Sequence, residues 1–184
     1  MPTFRGFIAI EVKSFPKLIE FENELKKSGA IIKLVEPENI HITLKFLGDT
    51  DSEFIDQIEE IIKKAVQNVK EFKITLKEVG VFPNQNYIKV IWIGINDKEK
   101  LSEISKKIDE GCSKIGFEKE KRRFSTHLTI GRVKSAKNKQ NILKILEKYK
   151  DTVFGEVLVN KIILKKSELT SEGPIYTNIR DIKI

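Results

Sequence analysis

The sequence predicts an α+β fold in which two pseudo-symmetric lobes, each an antiparallel sheet with helices packed on its outer face, enclose a cleft between the sheets. Strand-like segments come mostly in pairs between helix-like segments, as in antiparallel sheets that carry helices on one face. A strand, a helix and a His-x-Thr strand follow one another in the first quarter of the chain, and a similar order recurs in the third. The two triplets lie 127 − 41 = 86 residues apart, close to half of the 184 residues. We therefore expect residues 1–184 to form a single bilobal domain.

The first half of the chain supplies a strand, two helices and the first triplet. Residues 5–12 are rich in β-branched and aromatic residues and predict a strand. Residues 14–29 predict a helix framed by Ser14 and Gly29. Residues 31–49 predict two short strands around a Pro-Glu-Asn turn, and residues 50–70 carry apolar side chains at helical spacing.

The second half repeats this alternation of strands and helices. A hairpin that turns at Pro83-Asn84-Gln85-Asn86 is predicted over residues 72–95. The remaining predicted elements are helices over residues 96–116 and 138–151, a short strand over residues 127–133, and closing strands within residues 152–169 and 174–184.

The composition favours a cytoplasmic protein with polyanionic partners. No apolar run approaches the roughly 20 residues of a membrane span, and the first residues lead directly into a strand, unlike a signal peptide. Cys112 is the only cysteine, so an intramolecular disulfide is excluded. The net charge of +7 favours association with nucleic acid, although charge alone does not indicate chemistry. We expect a monomer that does not associate with a membrane.

The two histidines of the chain, His41 and His127, both occupy a His-x-Thr triplet between aliphatic neighbours. A single histidine in such a place would be interpreted as a polar residue on a sheet surface, but two in the same setting favour a shared function. Histidine exchanges a proton near neutral pH, so one ring of a pair can act as a base while the other acts as an acid. The hydroxyls of Thr43 and Thr129 suit phosphate oxygens.

Strand alternation places His41, Thr43 and Lys45 on one face, and His127 and Thr129 on one face of the second strand. Two histidines without clustered cysteines or carboxylates make a thin set of metal ligands, so no metal is expected. A GxSxG nucleophile motif, a P-loop and a GxGxxG motif are absent from the sequence.

The stretches "HITLKFLG" and "HLTIGR" resemble the two signature motifs of the two-histidine phosphoesterase superfamily. More closely, the chain resembles the RNA 2′,3′-cyclic phosphodiesterases, also called the 2′-5′ RNA ligase family. The stretches "FRGFIAIEV", "VGVFPNQNYIKVIWIGI" and "SELTSEGPIYTNI" are similar to further segments of that family, so the resemblance covers nearly the whole chain. One departure is Thr126, where family members often carry proline before the second histidine.

The resemblance implies hydrolysis of the 2′,3′-cyclic phosphodiester at RNA 3′ ends to a 2′-phosphomonoester, with reverse 2′-5′ ligation as a related activity. It implies that His41 is the proton donor and His127 the proton acceptor, that Thr43 and Thr129 bind the phosphate, and that no cofactor is needed. The implied partner is RNA with a 2′,3′-cyclic phosphate end, such as a tRNA fragment. From the sequence alone the two triplets are nearly symmetric, so the order of acid and base stays open.

Five further residues are candidates for substrate binding. Lys45 shares the predicted face of His41, and Tyr176 could stack on a base. Alternation places Arg132 away from His127 unless Gly131 bends the strand. Arg122 and Arg123 belong to a basic run from Lys119 to Lys139, on both sides of the second histidine, that suits RNA phosphates.

Two alternatives to this phosphodiesterase remain. The chain could be a non-catalytic module that binds RNA 3′ ends, in which case paired titrating groups would not be needed. It could also be a phosphodiesterase for a small cyclic nucleotide or for an ADP-ribose cyclic phosphate. The basic excess favours RNA as the substrate but does not exclude either alternative.

Overall fold

The computed structural model describes residues 2–96, 98–121, 125–135 and 137–184. None of the helices in these ranges is long and apolar enough to cross a membrane. In chain order the elements are β1 (Thr3–Glu11), α1 (Pro16–Lys27), β2 (Ile32–Leu34), β3 (His41–Asp51), α2 (Ile55–Val66), β4 (Phe72–Asn84), β5 (Tyr87–Ile95), α3 (Lys98–Lys114), β6 (His127–Val133), α4 (Lys139–Tyr149), β7 (Val153–Val159), β8 (Lys161–Leu169) and β9 (Pro174–Lys183).

The strands form two antiparallel sheets, each of which contains one histidine triplet. Sheet A has the order β3-β1-β8-β9 and carries His41, while sheet B has the order β2-β6-β5-β4-β7 and carries His127. The predicted α+β class with two antiparallel sheets is confirmed. The predicted closing segment 152–169 divides at Asn160 into β7 of sheet B and β8 of sheet A, so the chain passes from one lobe to the other at that residue.

The helices cover the sheets in a crossed pattern. Helix α1 follows β1 of sheet A but packs on β2 and β7 of sheet B, beside α4. Helix α3 follows β5 of sheet B but packs on β3 of sheet A, beside α2. We call sheet A with α2 and α3 lobe A, and sheet B with α1 and α4 lobe B. Each lobe therefore depends on segments from both halves of the chain.

The apolar stripes of the helices explain this packing. In α2 the buried residues Ile58, Ile62, Ala65 and Val66 recur at helical spacing, and they meet the buried Ile104 and Ile108 side of α3 in one core. The two helices approach closely at Gly111, where a Cβ would lie 2.5 Å from Cγ2 of Ile61. A larger residue there would push the two helices apart.

Each histidine strand contains a bulge directly after its threonine. On β3, Thr43 pairs with Ala9 and Lys45 with Ile8, so Leu44 has no partner on β1. On β6, Thr129 pairs with Trp92 and Gly131 with Ile91, so Ile130 has no partner on β5. An unpaired extra residue reverses the alternation of side chains beyond it. The face assigned to the residues that directly follow, Lys45 and Phe46 on β3 and Arg132 on β6, therefore changes.

Candidate active site

His41 begins β3 directly after a short 3₁₀ turn, Pro37–Asn39. Its Nδ1 lies 2.6 Å from the backbone oxygen of Asn39. A carbonyl oxygen can only accept, so Nδ1 of the ring carries the hydrogen and donates it. This bond fixes the ring orientation and leaves Nε2 as the atom that exchanges a proton.

His127 is held in the same way in lobe B. It begins β6, and its Nδ1 donates to the backbone oxygen of Ser125 at 2.7 Å. In both lobes the acceptor is the carbonyl two residues before the histidine. The two rings therefore share one tautomer, and each keeps Nε2 free of this bond.

Aromatic rings pack around both histidines. The ring centroid of Phe7 lies 5.0 Å from that of His41, and Tyr176 lies 5.3 Å from it in an edge-on arrangement. In lobe B the ring of Phe82 lies 5.0 Å from His127 and 5.3 Å from Trp92. These contacts keep water from the flat sides of the imidazoles, which limits their hydration.

The Gly-x-Phe-Pro segment of the hairpin supports the aromatic wall of lobe B. The indole of Trp92 lies across Gly80, and a Cβ at Gly80 would lie 2.2 Å from its Cζ2. Only glycine leaves room for the indole at this position. The indole nitrogen is buried and has no hydrogen-bond partner among the described residues.

Burial lowers the pKa of both histidines below the ordinary value of 6.5. For His41 the positive charge of Lys165 adds to this effect and the carboxylate of Glu11 opposes it, as does the bond to Asn39. The positive charge of His127 also lowers the pKa of His41, and strands β3 and β6, which the two histidines begin, contact each other. Both rings are therefore predominantly neutral near pH 7 in the free protein.

The two threonines lie on the histidine side of their strands. Thr43 pairs with Ala9, two residues along β1 from the Glu11–His41 pair. Thr129 pairs with Trp92, two residues along β5 from the Gly94–His127 pair. Both threonines are partly exposed, so their hydroxyls are accessible to a ligand between the sheets.

The predicted place of Lys45 is wrong. The bulge at Leu44 turns Lys45 to the helix side of sheet A, where its side chain is only 4% exposed. Its Nζ donates to Oδ1 of Asp109 at 2.6 Å and to the backbone oxygen of Glu118 at 3.0 Å. Lys45 is therefore a buried structural cation and not a ligand for substrate in the cleft.

The residue that takes the cleft face in place of Lys45 is Phe46. It pairs with Phe7, its ring centroid lies 6.5 Å from that of Phe7, and it is 69% exposed. Regular alternation along β3 would place Phe46 on the face opposite to His41 and Thr43. An exposed phenylalanine at the edge of a cleft can stack on a nucleobase.

The bulge at Ile130 returns Arg132 to the cleft face. Arg132 pairs with Val90, which lies on the same side of β5 as Trp92, the partner of Thr129. The irregularity that was allowed for at Gly131 is the bulge at the preceding residue, Ile130. This bulge determines the position of Arg132. By symmetry of the two motifs, Arg132 in lobe B corresponds to Phe46 in lobe A.

Arg5 was not among the candidates predicted from the sequence. It lies two residues before Phe7 on the cleft side of β1 and pairs with Ser167, which in turn pairs with Tyr176. Burial raises the pKa of Tyr176, while the positive charges of Arg132 and Arg5 act to lower it. Neither arginine forms an ion pair within the described ranges. The period-two pattern of β1 was the signal that could have identified Arg5.

Arg122 and Arg123 lie outside the described residues. Of the basic run beside them, Lys121 is exposed and pairs with Glu118 at 2.7 Å. In the part of the chain that the structure describes, no three His, Cys, Asp or Glu side chains are grouped as metal ligands.

Known proteins resemble this chain over nearly its whole length. Residues 4–168 match the family model of the 2′-5′ RNA ligase superfamily. The chain is 47% identical to the RNA 2′,3′-cyclic phosphodiesterase of Methanocaldococcus jannaschii, over 96% of this chain and 99% of that protein. It is 34% identical to the RNA 2′,3′-cyclic phosphodiesterase of Methanothermobacter thermautotrophicus, over 98% of each chain.

A solved structure shares the fold. TT0787 of Thermus thermophilus superposes with a TM-score of 0.80 over 97% of each chain, at 22% identity. The family match covers residues 4–168, a range that contains both histidine triplets. The family that the two triplets predicted is confirmed: this chain belongs to the 2′-5′ RNA ligase superfamily.

Proposed function

We propose that this protein hydrolyses the 2′,3′-cyclic phosphodiester at RNA 3′ ends to a 2′-phosphomonoester, with His41 as proton donor and His127 as proton acceptor. The observation that carries the proposal is the matched pair of histidines, each with Nδ1 bound to the carbonyl two residues before it. The relatives from M. jannaschii and M. thermautotrophicus bear the name of this activity. RNA fragments such as those of tRNA are the proposed partners of a monomeric, cytoplasmic protein.

The chemistry needs two proton transfers. Nε2 of neutral His127 takes a proton from water, whose oxygen forms a bond to phosphorus. The bond between phosphorus and O3′ breaks, and protonated His41 gives its Nε2 proton to the leaving O3′. The product carries a 2′-phosphate and a free 3′-hydroxyl. Each proton transfer is worth roughly 10²–10⁴-fold in rate.

The threonines and arginines complete the site. The hydroxyls of Thr43 and Thr129 donate to the non-bridging oxygens, on which negative charge rises in the transition state. The guanidinium of Arg5 or Arg132 suits a phosphate of the RNA backbone, because its planar fork donates two parallel hydrogen bonds. If the 5′-hydroxyl of a second RNA takes the place of water, the same proton transfers would form a 2′-5′ phosphodiester and release the 3′-hydroxyl; the reverse of that reaction would regenerate the cyclic phosphate.

The test is incubation with a synthetic RNA that ends in a 2′,3′-cyclic phosphate, with EDTA present and no ATP. We expect a product heavier by one water whose phosphate is at the 2′ position. Tight binding without turnover would favour the binding module, and faster turnover of a mononucleotide or of an ADP-ribose cyclic phosphate would favour the small-molecule alternative. Inactivation by EDTA with recovery on adding a divalent ion would indicate metal-ion catalysis.

The pH dependence of kcat/KM should reveal the low pKa values of the two rings. Turnover needs one neutral and one protonated histidine, so the profile should be a bell with its maximum midway between the two pKa values of the free enzyme. Burial lowers both pKa values below 6.5, so we expect the maximum below pH 6.5. The kcat profile should lie at higher pH, because a bound phosphate anion favours the protonated rings. A kcat/KM maximum above pH 7 would contradict this assignment.

Arg5 and Arg132 should matter more for RNA than for a mononucleotide. A mononucleotide 2′,3′-cyclic phosphate lacks the upstream phosphates that these guanidinium groups can contact. We expect Arg5→Gln and Arg132→Gln to raise KM for an RNA oligonucleotide about 10-fold, and each lost phosphate contact to reduce the log–log salt slope by about 0.7. Arg180→Gln is the matched control, since Arg180 pairs with Asp56 and Glu59 of α2. Equal effects on both substrates would show that the arginines do not bind upstream phosphates.

A further inference from the structure

A charged group lies directly opposite the first histidine on the neighbouring strand. Glu11 of β1 pairs with His41 of β3, so the two side chains occupy the same face of sheet A. At the equivalent position in lobe B, His127 pairs with Gly94, which has no side chain. The two otherwise matched histidines therefore differ in whether a carboxylate accompanies them.

Glu11 is bound to a buried lysine. Nζ of Lys165 donates to Oε1 of Glu11 at 2.6 Å and to Oδ1 of Asn178 at 2.6 Å. The side chain of Lys165 is 4% exposed, and that of Glu11 is 38% exposed. Lys165 pairs with Phe7, whose ring contacts His41, so the ammonium lies on the cleft side of sheet A.

The ion pair continues into a closed ring of polar groups. Nδ2 of Asn178 donates to Oδ1 of Asp181 at 3.3 Å, and Nζ of Lys161 lies 2.9 Å from Asp181 and 3.7 Å from Glu11. Burial raises the pKa of Glu11, but its bond to Lys165 and the nearby positive charges bring it below its ordinary value. Glu11 is therefore ionised at neutral pH. The proposed reaction assigns no step to Glu11 or Lys165.

We propose that Glu11 and Lys165 are positioning residues that set the proton affinity of His41 through their opposite charges and so distinguish it from His127. The proposal rests on the proposed function in one respect only. The difference in proton affinity between His41 and His127 is interpreted there as the feature that assigns His41 as the proton donor. The charged and titratable groups that face His41 are Glu11 on β1, Lys165 on β8, Tyr176 on β9 and His127 across the cleft, with Lys161 and Asp181 behind Glu11.

The two members of the pair should act in opposite directions. Lys165→Met removes a positive charge and leaves the carboxylate of Glu11 beside the ring, so protonated His41 becomes more stable and its pKa rises. Glu11→Gln removes the carboxylate and leaves the ammonium, so the pKa of His41 falls. A charge within about 4–6 Å shifts a pKa by about one to three, so we expect changes of about one pH unit. The double variant should return close to the wild type.

Both substitutions are compatible with folding. Glu11 is partly exposed, so water can hydrate its carboxylate when Lys165 is replaced. The side-chain oxygen of glutamine can still accept from Lys165 in Glu11→Gln. Lys73→Met and Glu156→Gln are the matched controls, because this pair also bridges neighbouring strands at 3.1 Å but is exposed and lies in lobe B.

The experiment is a titration of the histidine rings by NMR, which does not require activity. The chain has only two histidines, so comparison with His127→Ala assigns both signals. We expect the His41 titration to move up in Lys165→Met and down in Glu11→Gln, with the His127 titration displaced less in each. Changes of the same sign in both variants, or no change in either, would overturn the proposal, since a purely structural pair would act in this way.

The kcat/KM profile of the same variants separates this proposal from the proposed function. If His41 is the proton donor, kcat/KM on the alkaline limb of the profile should rise or fall with the pKa of His41. If the acidic limb follows it instead, control of His41 by the pair is supported, but His41 is the proton acceptor and the assignment in the proposed function is wrong. If the His41 titration moves and neither limb follows it, the two-histidine mechanism fails while control of His41 by the pair stands.

Discussion

His41→Ala and His127→Ala should each lower kcat for the cyclic phosphate by roughly 10²-fold or more while the protein stays folded. Both histidines begin a strand and are partly exposed, and each makes one backbone bond that fixes its orientation. Removing either ring leaves the other without its complement in the proton transfers. The loss should appear in kcat and in kcat/KM alike, because the contribution is made in the transition state.

Asparagine at these positions is the sharper control. Its side-chain amide can donate to the carbonyl of Asn39 or Ser125 as Nδ1 does, but it cannot exchange a proton near neutral pH. His41→Asn and His127→Asn should therefore unfold at nearly the wild-type temperature and still lose activity as the alanine variants do. A variant of either kind that is folded and keeps near-full turnover would show that proton transfer by two histidines is not the mechanism.

The paired triplets could be recognised from the sequence because their residue types and spacing indicate their chemistry without a structure. Histidine occurs only twice, and strand periodicity places each threonine on the face of its histidine. The α+β class followed from strand pairs between helices. What remained hidden was the identity of the sheet that each helix covers, since an apolar stripe shows that a helix packs but not on which partner. Helices α1 and α3 each cross to the other lobe.

The misplacement of Lys45 has a local cause. A bulge needs one unpaired residue, and Leu44 carries no sign of it, because leucine is equally common in regular strands. In β6 the neighbouring Gly131 gave a hint, and the same bulge there turns Arg132 into the cleft. Because of one extra residue, Phe46 and not Lys45 lies at the edge of the site.

The buried Lys45 has a structural role that predicts a large effect on stability. Its partner Asp109 is 14% exposed and also accepts from the backbone nitrogen of Glu120 at 3.0 Å. Burial raises the pKa of Asp109, but the bonds from Lys45 and Glu120 hold it below its ordinary value. The carboxylate therefore stabilises the fold above its unfolded pKa, and that contribution is lost as the pH falls through the lower folded pKa.

We expect Lys45→Met to lower the free energy of unfolding by about 3–5 kcal/mol at neutral pH, because it leaves a mostly buried carboxylate without its cation. Urea denaturation measures this, with Lys73→Met of the exposed Lys73–Glu156 pair as the control, expected to cost less than about 1 kcal/mol. The deficit of Lys45→Met should shrink in acid as Asp109 becomes protonated.

The double variant Lys45→Met/Asp109→Leu should recover most of the loss, since apolar residues of similar volume often replace a buried ion pair at little cost. The bulge should persist in it, because Ser105 of α3 still donates to the backbone oxygen of Leu44 at 2.7 Å. Phe46 then keeps its place on the cleft face, and kcat for the cyclic phosphate should stay near that of the wild type. A double variant as unstable as Lys45→Met would show that the backbone bonds to Glu118 and Glu120, rather than the paired charges, are what the fold requires at this position.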